Sequence, residues 1–370
     1  MSRDDEVRPF RIDVPDDELV ALRDRLARVR WAPEPDGAGY GVPTARVREL
    51  VEHWRDRYDW RTWEARINSH PQFTTTIDGT NVHFLHVRSP EPDAFPLVLS
   101  HGWPGSVVEF LDVIGPLTDP RRHGLSDDLA FDVVIPSLPN FGFSGPTPDT
   151  RWGPRRIARA WATLMHRLGY ARYGAVGNDW GSFISPELGR VAPDAVVGVH
   201  VTQIFSAPDA GLEPAQLSPA DRAALDGWRW VEDNMSSYSH VQAQQPQTLA
   251  HALSDSPAGL LGWNSQVMDG LDVEVLLTHV SIHWLSGTAG SALRIYAEED
   301  RQSAPDGPTT VPLGLAQFPN DLPAIRACAE CAHSTIVSWN VYDRGGHYVA
   351  HQAPDLLTAD IRAFFASLLS

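Results

Sequence analysis

The sequence predicts an α/β protein built on a mostly parallel sheet, and three observations carry that expectation. Between residues 96 and 200, short apolar runs alternate with helix-patterned segments, as in sheets whose strands are covered by helices on both faces. That rhythm breaks over residues 201–290, where Ala, Gln, Trp and Ser dominate and no convincing strand appears. It returns in VPLGLAQF (311–318) and STIVSWNVY (334–342). A chain of 370 residues with 42% hydrophobic content and 13 tryptophans buries roughly three quarters of its unfolded surface. One core interrupted by a helical insertion fits these bounds. The expected division is an N-terminal extension over 1–90, a first half of the core over 91–200, a helical cap over 201–290 and a second half of the core over 291–370.

The elements run in order along the chain. Asp16, Asp17 and Glu18 precede Leu19, Leu22, Leu26 and Val29, with arginines at 23, 25, 28 and 30. This is helical spacing with acids first and bases last, as the helix dipole favours. A Pro/Gly-rich connector (32–43) leads to a second helix on Val47, Leu50, Val51, Trp54 and Tyr58. Both helices precede any strand, so they are expected to pack as an extension on the later domain. Asp78-Gly79 makes a hairpin turn between 74–77 and 82–87. PLVLS (96–100), FDVVIPSL (131–138) and YGAVGN (173–178) are buried strands, with helices over SVVEFLDVI, near 153–168 and after 178. DLLTADIRAFFASLL closes the chain as a helix.

Composition excludes several functions. All 30 basic residues are arginine, and the formal charge is −17, which opposes a nucleic-acid partner because phosphate binding needs a basic face. The opening MSRDDEVRPF has no apolar leader core, and no stretch approaches the ~20 apolar residues of a bilayer span. A soluble, cytoplasmic protein without membrane attachment is expected, with a homodimer left open. Cys328 and Cys331, with His333 nearby, have C-x-x-C spacing. A single pair lacks the second half of a metal or redox site, so a helix-borne structural pair is expected, and no metal.

Chemistry concentrates at strand ends. In GNDWGS (177–182), Asp179 occupies the centre of a small–X–nucleophile–X–small turn between a strand and a helix. Gly177 and Gly181 leave room for the sharp turn. HGWPG (101–105) also comes after a strand, and the backbone amides of Trp103 and Trp180 are the candidate oxyanion donors. His347 in DRGGHY is preceded by another strand, where open α/β sheets place their sites; His351 is read as structural. Asp321, 26 residues before His347, is the acid that would orient it. Glu298, Glu299 and Asp300 compete for that role but read as a solvated acidic patch. The order nucleophile, acid, histidine is that of the α/β-hydrolases.

On these residues the chain resembles the microsomal-type epoxide hydrolases of the α/β-hydrolase superfamily over nearly its whole length. The likeness rests on PFRIDVPDDEL…LRDRLARVRW, HGWPGS, PSLPNFGFS, GNDWGS, SDSPAGLL and RGGHY. It implies an α/β-hydrolase fold with a helical cap, Asp179 as nucleophile, His347 as base and Asp321 as its acid. It also implies Tyr238 and Tyr296 as cap phenols that donate to an epoxide oxygen, and Trp103 and Trp180 lining the substrate site. Unlike membrane-anchored relatives, this chain does not begin with an apolar span.

A carboxylate nucleophile suits attack on an sp³ carbon, and neutral phenols suit a departing alkoxide. The expected reaction converts a bulky or aryl-substituted epoxide to a vicinal diol through an ester on Asp179, without cofactor. Two alternatives stand beside it. A haloalkane dehalogenase uses the same Asp–His–acid set with N–H donors for halide, which the Trp103 and Trp180 indoles could supply. A non-catalytic ligand-binding relative would show a broken set.

Overall fold

The computed structural model describes residues 6–35, 37, 39–126, 129–205, 217–268, 270–301 and 307–370. Parts of several segments expected from the sequence therefore lie outside the described residues: 1–5 of the opening, 36 and 38 of the connector, and 206–216 and 269 of the cap.

Nine strands form one sheet: β1 (Arg8–Phe10), β2 (Gln72–Ile77), β3 (Thr80–Val87), β4 (Phe95–Ser100), β5 (Phe131–Pro136), β6 (Tyr173–Gly177), β7 (Val196–Val201), β8 (Leu313–Gln317) and β9 (Ile336–Val341). Their order is β1-β2-β3-β5-β4-β6-β7-β8-β9. The first three strands and the β3–β5 pair run antiparallel. From β5 to β9 every pairing is parallel. The Asp78-Gly79 turn joins β2 to β3, with both residues at positive φ. The central strand β6 is buried at all five positions, which is why it reads as an unbroken apolar run rather than an alternating one.

Three elements are illegible in the sequence. β1 is three residues long, too short to show a period. β7 carries Gly198, which weakens its strand pattern. A Cβ there would come within 2.4 Å of Leu368 and 3.0 Å of Phe364, so the glycine admits the closing helix Pro354–Leu369 against the sheet. Tyr58 is not the last turn of the second helix: that helix spans Thr44–Asp56. Asp59 then caps a separate helix, Trp60–Ile67, by accepting from the Arg61 amide.

The N-terminal helices pack on the insertion. Trp54 donates to Ser281 at 2.9 Å, Tyr58 pairs with Thr278 at 3.0 Å, and His53 meets Glu274 at 2.5 Å, all on the helix Val273–Leu285. Leu50, Val51, Trp54, Trp60 and Trp63 are buried in the main core, each large apolar side chain contributing about 2–3 kcal/mol. The extension thus braces the cap. Helices between β7 and β8 run from Pro219 to Asp300, ten residues past 290. Among the described residues, no helix is long and apolar enough to cross a membrane.

Candidate active site

Asp179 stands between β6 and the helix Trp180–Val191 with φ 51° and ψ −119°, a conformation costing on the order of 1–3 kcal/mol for a non-glycine residue. The turn is held by close packing. A Cβ on Gly177 would lie 2.0 Å from the Gly181 carbonyl oxygen, and one on Gly181 would lie 1.8 Å from that of Ser100. Inside the turn, the Asp179 amide donates to Gln203 Oε1 at 2.8 Å.

The HGWPG loop leaves β4 beside this turn. The Trp103 amide donates to Asp179 Oδ1 at 2.8 Å, and the Trp180 amide also faces the carboxylate. Gly102 is obligatory for lack of space: its Cβ would fall 1.9 Å from Oδ1. The cap supports this loop from above. His283 reaches the Pro104 and Gly105 carbonyls at 3.1 and 3.2 Å, and His279 bonds Ser106 at 2.9 Å.

Asp179 Oδ2 faces a different partner, His347 Nε2, at 3.7 Å. His347 Nδ1 lies 3.0 Å from Asp321 Oδ1, which also accepts from the Leu322 amide. Gln203 Nε2 donates to Asp321 Oδ2. The acid read from the sequence is therefore the one that meets the histidine. Glu298 is not a solvated acid: it is 8% exposed and accepts from the Arg151 amide at 2.5 Å. The Asp300 side chain lies outside the described residues. His351 bonds Asp112 at 3.2 Å, and His333 bonds Thr309. Cys328 is buried and Cys331 exposed on one short helix.

Electrostatics bind these groups into one unit. Burial pushes Asp179 above its ordinary range, against the pull of His347 and the two amides. Burial alone would lower His347, yet Asp321, Asp179 and Glu109 outweigh it and raise the imidazole to about 9. Burial would likewise raise Asp321, but His347, Gln203 and the Leu322 amide hold it below its usual value. At neutral pH His347 is therefore a buried imidazolium, and it lies between Asp179 and Asp321.

Tyr238 and Tyr296 lie over this unit. Their rings are 6.0 Å apart and edge-on. Tyr238 stacks on Trp103 at 5.4 Å, and Tyr296 meets Trp180 edge-on at 4.8 Å. Burial first, then the Asp179 charge, raises Tyr238. Burial, followed by Tyr238 and Asp179, raises Tyr296 well above its ordinary value. Both are neutral phenols at any working pH.

Every residue singled out in the sequence for the site reaches this cluster. Three participants escape sequence reasoning. Gln203 lies just beyond the unrecognised β7 and bridges Asp179, Asn178 and Asp321. Asn178 donates to Glu109 at 2.7 Å. Glu109 is visible only as one of two acids inside SVVEFLDVI. Among the described residues, no group of three or more His, Cys, Asp and Glu is placed to hold a metal ion.

A parallel sheet with the tight Asp179 turn after β6, a helical insertion between β7 and β8, and Asp321 and His347 after β8 and β9 defines an α/β-hydrolase. The α/β hydrolase fold family model matches residues 96–254, and the epoxide hydrolase N terminus model matches residues 7–110. The chain is 40% identical to a candidate epoxide hydrolase of Stigmatella aurantiaca (strain DW4/3-1), covering 98% of this chain and 85% of that one. It is 31% identical to epoxide hydrolase 1 of Sus scrofa over 99% of this chain and 90% of the other. The solved Aspergillus niger epoxide hydrolase superposes with a TM-score of 0.87 at 31% identity, covering 98% and 97% of the two chains. The chain belongs to the epoxide hydrolase family of α/β-hydrolases, and it is an epoxide hydrolase. These relatives decide between the epoxide and halide leaving groups that the sequence left open.

Proposed function

We propose that this enzyme opens a bulky or aryl-substituted epoxide through a covalent ester on Asp179, which water activated by His347 then hydrolyses. The observation that carries the reading is the division of labour on one carboxylate. Oδ1 is held by the Trp103 amide at 2.8 Å, whereas Oδ2 faces His347 Nε2 at 3.7 Å. Oδ2 is the atom free to attack, and Oδ1 already sits where an oxyanion would form.

The proton inventory closes. Oδ2 of Asp179 forms a bond to an epoxide carbon as the ring C–O bond breaks, and Tyr238 or Tyr296 gives its proton to the departing oxygen. The resulting phenolate takes a proton from His347, which is an imidazolium at rest. Esterification also removes the Asp179 charge that helps keep His347 protonated. The imidazole is now neutral and accepts a proton from water as the water oxygen bonds to Cγ of Asp179. The tetrahedral oxyanion rests on the two amides, then collapses as the C–O bond to the product breaks and the second proton of the water passes from the new hydroxyl to the departing oxygen, which releases the diol and the Asp179 carboxylate. His347 is left as an imidazolium, ready for the next turnover. Asp321 orients the ring throughout through Nδ1.

The substrate class is argued from the walls. Trp103, Trp180, Tyr238 and Tyr296 contact one another around the carboxylate, and Phe183 and Phe205 continue the aromatic surface, stacked at 4.5 Å. Such walls suit an uncharged aryl group. The reading is tested by a single turnover of styrene oxide in ¹⁸O-labelled water. The ester route puts an unlabelled Asp179 oxygen into the first diol and ¹⁸O into Asp179. Label appearing directly in that diol refutes it.

A further inference from the structure

Two buried groups beside Asp179 neither give nor take a proton in the ester mechanism. Glu109 is 1% exposed and lies on the 3₁₀ turn Val107–Phe110 that succeeds the HGWPGS loop. Its Oε1 accepts from Asn178 Nδ2 at 2.7 Å. Its Oε2 lies against the loop, 2.8 Å from where a Gly105 Cβ would stand. The carboxyl therefore occupies the seam between the oxyanion loop and the nucleophile turn. Burial, with a contribution from Asp179, pushes it up to about 8 against the opposing effects of Asn178 and His347. It is a largely neutral acid at pH 7.

Tyr348 is the neighbour of His347 in the chain, and the two rings are 5.0 Å apart. Its side chain is 3% exposed, and its hydroxyl is buried without a hydrogen-bond partner. Of the charged groups around it, Asp179 acts on it most strongly and Glu109 next. A phenolic hydroxyl buried without a partner is costly and calls for an explanation in function. Asn178 ties the Glu109 carboxyl to the turn that carries Asp179, and the Tyr348 ring packs against His347, so the two groups flank the Asp179–His347 pair.

We propose that the Tyr348 hydroxyl and the Glu109 carboxyl form the seat of the hydrolytic water, a reading that rests on the ester mechanism. A held water needs two to four polar partners. His347 Nε2 accepts one of its hydrogens, a Glu109 carboxyl oxygen accepts the other, and the Tyr348 hydroxyl donates to one lone pair, leaving the second lone pair toward Cγ of Asp179. In the step itself the water O–H bond breaks to His347, the new C–O bond forms at Cγ, and neither Tyr348 nor Glu109 changes protonation. Their work falls wholly in the second half of the reaction, because ring opening uses no water.

The experiment is rapid-quench intact mass spectrometry with styrene oxide on the full-length Tyr348→Phe and Glu109→Gln variants, which separates ester formation from ester decay. The expected result is ester formation within about threefold of the parent and decay slowed roughly 10–100-fold in each variant, so that the ester dominates at steady state. Equal slowing of both steps, the signature of disturbed packing, overturns the seat. So does unchanged decay in Tyr348→Phe, which removes a single oxygen and decides the matter even if Glu109→Gln does not fold. If no ester forms in a His347→Gln control, the ester mechanism itself fails and takes the seat with it.

Discussion

Gly102→Ala tests the packing argument at its tightest point. The added Cβ would stand 1.9 Å from Asp179 Oδ1 and 2.5 Å from Cγ, whereas an ordinary carbon–oxygen contact is about 3.3 Å, so loop and carboxylate must separate by roughly 1.4 Å. The Trp103 amide sits 2.8 Å from the same oxygen, and that displacement carries it beyond hydrogen-bonding range. Loss of one oxyanion donor costs about 10²–10³ in rate. Forced overpacking costs a further 1–3 kcal/mol or so of stability. The assay is kcat for styrene oxide beside urea unfolding, with Gly262→Ala as control, where the nearest atom to a Cβ is 3.7 Å away. We expect the control to keep full activity and Gly102→Ala to fold with kcat reduced by at least a hundredfold. A folded Gly102→Ala enzyme of parental kcat would refute the reasoning.

The same geometry sets two further outcomes. A His347 raised from 6.5 to about 9 contributes stability that is fully present below pH 6.5 and lost as pH rises through 9, of order 3 kcal/mol in all. The stability difference between parent and His347→Gln, measured by urea unfolding, should therefore shrink from pH 6 to pH 9.5, and a constant difference contradicts the ion-pair account. Replacing both Tyr238 and Tyr296 with Phe removes the proposed proton donors for ring opening. Ester formation should slow by about 10²–10⁴, with ester decay changed far less, as rapid-quench mass spectrometry would read.

Much of the site is legible because each functional residue sits at the end of a buried strand, and buried strands announce themselves as apolar runs. Asp179, Asp321 and His347 come after β6, β8 and β9, and the strand before each one is visible. The hidden parts depend on contacts between distant segments. Gly198 disguises β7 because its reason for being glycine is the ring of Phe364, 166 residues on, and with the strand goes Gln203 at its end. Glu298 reads as a surface acid because nothing local shows that Arg151 brings its amide there. The role of Glu109 cannot be read from SVVEFLDVI, since an acid in an apolar run gives no hint that Asn178 is its partner.

The most direct test of the account is intact mass spectrometry of His347→Gln after mixing with styrene oxide. Without its base the enzyme should attack but fail to hydrolyse. A mass gain equal to the whole epoxide, mapped by peptide sequencing to Asp179 and lasting for many parent turnover times, is the predicted result. Diol formation at the parental rate with no adduct on Asp179 would contradict it.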